Sequence, residues 1–60
     1  MASEETRRAL KLFGVAVTDL EEAVERGAPA EEVARLDAVL TERLREITAL
    51  VDRLRSRRRA

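Results

Sequence analysis

The chain contains no cysteine, histidine, tryptophan or tyrosine, and only one phenylalanine, one proline and two glycines. Without cysteine there is no disulfide framework and no thiolate metal site, and the redox compartment stays open. Without histidine there is neither a Ser–His pair nor the Glu-x-x-His motif of di-metal helical bundles. No Gly-rich phosphate loop or zinc spacing is present. Catalysis would have to rest on carboxylates and arginines alone, so the sequence does not read as an enzyme and implies no cofactor and no small-molecule substrate. The near absence of aromatics leaves little to stack on bases or to anchor at a membrane interface. No apolar run approaches the roughly 18 residues that span a bilayer, and no signal-peptide pattern is present. The expectation is a soluble protein, cytoplasmic or recombinant, away from membranes.

What remains is 60 residues of which 40 % are charged and 45 % apolar. So few glycines and aromatics exclude most sheet architectures and point to an all-α, long-helix or coiled-coil chain. The length suits one domain near the lower limit for folding alone. Net charge is zero but unevenly spread. Residues 13–48 hold nine of the twelve acids against four of the twelve bases, all arginine, which leaves three acids and eight bases in the flanks. A chain folded back at its middle would thus have an acidic hinge end and a basic open end. Eleven of the twelve bases are arginine, as a high-GC source or a design protocol would give.

The fold-back point is Gly27-Ala28-Pro29. Gly27 follows a long periodic stretch, where a helix needs a residue that accepts positive φ. Pro29, with preset φ and no amide hydrogen, suits the first position of a new helix. Glu31 and Glu32 would then occupy an acidic first turn. Ser3, followed by Glu4 and Glu5, marks the start of the first helix. The spacing predicts helix 1 over about 4–26, a turn at 27–28 and helix 2 over about 29–57, in an antiparallel two-helix hairpin. Ala28, as the expected N-cap, lacks a side-chain acceptor, so Ala28→Ser or Ala28→Asp should complete the cap.

In helix 1, Thr6, Leu10, Phe13, Val17, Leu20, Val24 and Gly27 recur at alternating spacings of four and three, a heptad seam facing a partner helix. Ala9, Ala16 and Ala23 run beside it as a small-residue strip that admits close approach. Leu12 and Val15 lie off the seam around Gly14, marking a zone of contact with a further helix. In helix 2, Val33, Leu40, Ile47 and Leu54 repeat every seven residues, widened by Leu36 and Leu50 on one side and Leu44 and Val51 on the other. Both apolar faces are broader than one neighbour can cover. The expectation is a homo-oligomer, with a dimeric four-helix bundle favoured. Its core and interface would be Leu10, Leu12, Phe13, Val15, Val17, Leu20, Val24, Val33, Leu36, Leu40, Leu44, Ile47, Leu50, Val51 and Leu54, with Leu12 and Val15 at or near the contact between copies.

The polar candidates carry less. Asp37 and Arg43 sit at or beside the second seam and could set register, though snorkelling from the bundle edge is the simpler reading. Glu42 and Glu46, four apart, read as a solvated face. Glu4–Arg8, Glu22–Arg26, Glu31–Arg35, Glu42–Arg45 and Asp52–Arg55 have the spacing of surface ion pairs. Arg53, Arg55, Arg57, Arg58 and Arg59 could contact nucleic acid through phosphates, without sequence preference, or simply complement a helix C-terminus.

Two short-looped helices in this length resemble the RNA-binding hairpin protein Rop, whose layout implies a dimeric four-helix bundle. Rop-like RNA binding would require polar residues and a phenylalanine on the outer face of the first helix. Phe13 is the single counterpart, and its seam position argues for core. The stretch 36–55 also looks like the dimerisation helix of MerR-type regulators, with no DNA-binding domain ahead of it. The chain most resembles idealised designed helical hairpins, on the strength of Gly27-Ala28-Pro29-Ala30-Glu31-Glu32-Val33 and its consistent local signals. That likeness implies a structural self-assembly module. The alternatives are a small nucleic-acid-binding or regulatory hairpin, or a binder of a partner protein's helix.

Overall fold

A computed structural model describes residues 1–59, the side chain of Arg59 excepted. The chain folds into two helices, α1 (Glu4–Glu25) and α2 (Ala30–Arg59), packed against each other as an antiparallel hairpin. Their bounds lie within one or two residues of the sequence expectation, and the larger differences are at the hinge and the C-terminus.

Local chemistry starts α1 where the sequence says it should. Ser3 is extended, with φ −70° and ψ 165°, and its Oγ accepts from the Thr6 amide at 3.1 Å. Its carbonyl takes the first helical bond, from the Arg7 amide at 3.1 Å. Glu4 and Glu5 follow in the first turn, where free amides favour negative charge.

The end of α1 is a Schellman motif centred on Gly27, which has φ 68°. The Gly27 amide donates to the Val24 carbonyl at 3.2 Å, and the Ala28 amide reaches back to the Ala23 carbonyl at 2.9 Å. A Cβ on Gly27 would meet no neighbour within 4 Å, so its requirement for glycine is conformational and not steric. Gly27→Ala should therefore destabilise by roughly 1–2 kcal/mol, the cost of a left-handed L-residue, seen as a lower denaturation midpoint with unchanged helix content at low denaturant.

The start of α2 corrects the expected cap. The Glu32 and Val33 amides donate to the Pro29 carbonyl at 3.0 and 3.1 Å, so Pro29 itself takes the cap position and Ala30 is the first helical residue. Ala28 stands one residue earlier and is half-buried, spent on closing α1. The proposed gain from a serine or aspartate at position 28 loses its basis, because a side chain there precedes the cap.

Burial shows which stripes meet. Ala16 and Ala23 are buried on α1, with Ala9, Leu12, Phe13 and Leu20 half-buried around them. On α2 Leu50 is buried, and Val33, Leu36, Leu40, Arg43, Ile47 and Val51 are half-buried. The alanine strip, not the Leu10–Val17–Val24 stripe, is the centre of the α1 contact with α2. Three small methyl groups at seven-residue intervals let the leucines of α2 seat close to the α1 backbone. At 30 residues α2 outlasts the 22 residues of α1 by about two turns. Leu54, in line with the inward heptad and one residue past the Arg53–Glu5 pair, lies level with the start of α1 at the edge of the overlap and is 48 % exposed.

Candidate assembly face

A hairpin has two broad faces, and here they differ in chemistry. One is charged. Glu5, Arg8, Arg43, Glu46 and Arg53 line a shallow cleft there, floored by Ala9, Leu12, Ala49 and Leu50. Two ion pairs cross between the helices, Arg53 Nη2 to Glu5 Oε2 at 2.6 Å and Arg26 to Glu32 beside the hinge. Arg43, half-buried in the inward row of α2, turns its guanidinium to Glu46 on its own helix at 3.0 Å. With Asp37 exposed, the two do not meet as a register-setting pair, and Arg43 snorkels.

The other face is apolar. At about 100° per residue, Leu10, Val17 and Val24 lie within about 40° of one another, on the flank of α1 opposite Leu12 and Val15. They are 53 %, 40 % and 60 % exposed. Half-buried Phe13 and Leu20 sit between this stripe and α2. By the same periodicity Leu44, exposed, joins half-buried Val33, Leu40, Ile47 and Val51 on the matching flank of α2. The heptad seam read from the sequence is thus a real row, but half of it is turned away from α2 and left uncovered.

The remaining expected residues divide between these surfaces. Leu36 and Leu50 belong to the hairpin interior, while Leu12 floors the charged cleft and Val15 stands exposed beside it. A Cβ on Gly14 would meet nothing within 4 Å, so this glycine does not admit α2. Of the five expected surface pairs, Glu42–Arg45 forms at 3.2 Å and Asp52–Arg55 at 3.4 Å. Arg26 prefers Glu32 to Glu22, and neither Glu4–Arg8 nor Glu31–Arg35 is bonded among the described residues. Glu42 and Glu46 are each engaged by an arginine.

The arginine-rich end is only partly free. Arg53 is held by Glu5 and Arg55 by Asp52, whereas Arg57 and Arg58 are exposed on the overhang of α2. The Arg59 side chain lies outside the described residues. The two cross-helix pairs were not foreseen, although both join residues whose numbers sum to 58, equidistant in sequence from Pro29 at the hinge. Among the described residues no helix is long and apolar enough to cross a membrane. Compared with family models, curated protein sequences and solved structures, the chain finds no match.

Proposed function

We propose that the hairpin is a structural self-assembly module, which lays its apolar face on a second copy to close a homodimeric four-helix bundle. The carrying observation is the disproportion between interior and surface. Among the described residues only Ala16, Ala23 and Leu50 are buried, while Leu10, Val17, Val24 and Leu44 stand 40–60 % exposed along one face. Folded monomers rarely leave contiguous apolar patches beyond a few hundred Å² uncovered. A hairpin measuring 48 by 18 Å offers a footprint on the order of 800 Å², comparable with what each partner of a stable pair buries. The regular geometry, with Gly27 its single positive-φ residue among those described, suits the resemblance to idealised designed hairpins. In this arrangement Leu12 and Val15 lie on the face away from the contact, unlike in the sequence expectation.

Sedimentation equilibrium at micromolar concentration tests the reading: twice the 6.8 kDa chain mass is expected, and a well-folded monomer would sink it. The second reading, nucleic-acid binding, draws on Arg57 and Arg58, exposed beyond the end of α1. A mobility-shift series with duplex RNA and DNA separates the two, since phosphate contacts must weaken as salt rises. Absence of a shift at low salt removes the second reading.

A further inference from the structure

The outer edge of the apolar face carries a row with its own order: Arg7, Lys11, Gly14, Thr18, Glu21, Glu25. Helical periodicity centres it about 80° round α1 from the Leu10–Val17–Val24 stripe, on the side away from α2, with Glu21 and Gly14 nearest the stripe and Lys11 farthest. All six residues are exposed. Read along α1, the row is basic, basic, neutral, neutral, acidic, acidic.

Ion pairing within the hairpin does not account for this order. None of the four charged residues has an ion-pair partner among the described residues, although the opposite face pairs arginine with glutamate twice across the helices. Each instead has a like charge four residues away, Arg7 with Lys11 and Glu21 with Glu25, a spacing that disfavours the helix. Glu25 also closes a last turn that has no base in it, against the helix dipole. Where the same spacing recurs in α2, Glu42 with Glu46 and Arg53 with Arg57, an opposite charge holds at least one residue of the pair. In this row none is held among the described residues, so the conflict points outside the chain.

A second copy running the other way resolves it. Reversed about its midpoint, the row is its own complement. Resting on the self-assembly reading above, we propose that two copies dock antiparallel, about a two-fold axis crossing α1 between Gly14 and Thr18. Helix α1 then lies along α1 of the other copy. Arg7 and Lys11 of each face Glu21 and Glu25 of the other, and the hinges point to opposite ends. Gly14, with open space where a Cβ would be, falls at the crossing and lets the two backbones approach. The alternative closed pair, with both hinges at one end, sets α1 against α2 of the other copy. By the hinge relation that brings Glu21 level with Asp37 and Arg7 level with Val51, one turn from Arg55, and it stacks acidic end on acidic end.

Two measurements on the full chain test this. Arg7→Glu with Lys11→Glu should weaken the dimer by about tenfold or more, as should Glu21→Lys with Glu25→Lys. All four changes together keep the net charge and should restore affinity to within about threefold of the parent. Nitroxide labels on Glu31→Cys, beside the hinge, should lie roughly 35 Å apart by pulsed electron resonance, against about 20 Å or less for adjacent hinges. Close labels, or a fourfold variant no tighter than the double variants, overturn the antiparallel arrangement while leaving self-assembly intact. A monomeric parent chain overturns both.

Discussion

Leu44→Asp is expected to convert the proposed dimer to monomers and to lower helix content at the same concentration. In the isolated hairpin Leu44 is 50 % exposed, with no buried neighbourhood to disturb. A polar substitution at such a position ordinarily changes stability by less than about 0.5 kcal/mol. Laid against a second copy, the same side chain is desolvated, and a carboxylate there would be buried without a partner. The expected cost is then about 3 kcal/mol or more, over a hundredfold in the dissociation constant. Because the hairpin interior is so small, the released monomers should also lose circular-dichroism signal at 222 nm. Val17→Asp, on the α1 stripe, should behave alike. If both variants keep the parent mass and helicity, the apolar face is not where copies meet.

Leu50→Ala should give the second large effect, by a different route. Leu50 is 7 % exposed and is the one large side chain buried between the helices among the described residues. Truncating it removes its transfer free energy and leaves a cavity against Ala9 and Leu12, with an expected cost of about 2–5 kcal/mol. The loss should appear in chemical denaturation of both monomeric and assembled forms, since this contact lies within one chain. A loss confined to high concentration, where assembly dominates, would mean that Leu50 faces a second copy instead. The two variants together separate the hairpin interior from the assembly face.

Much of the fold was legible because it is written in local bonds. Ser3 needs only Thr6 and Arg7 to start a helix, and Gly27 needs only Val24 and the positive φ that no L-residue takes cheaply. The cap of α2 was misplaced by one residue because proline fits both the cap and the first helical position. Only the pattern of amides donating to the Pro29 carbonyl distinguishes them. The cross-helix pairs Arg53–Glu5 and Arg26–Glu32 were less accessible, since they depend on which face of each helix turns inward.

The candidate site was legible as a set of residues but not as a surface. Leu10, Phe13, Val17, Leu20 and Val24 form a good heptad, and Ala9, Ala16 and Ala23 form another beside it. Periodicity weighs both rows alike, and favours the larger side chains as core. Packing favours the smaller ones, because an alanine strip lets the helices come together more closely than a valine strip does. That preference belongs to the pair of helices and to neither alone.

By itself, then, the sequence determined two helices, the glycine at which they part and the antiparallel sense of the pair, all through bonds spanning a few residues. Only the tertiary structure decided that the alanines turn inward and the aliphatic stripe outward. With an apolar arc of about 160° on α1, one neighbour can cover one part of it, and close contact with α2 selects which.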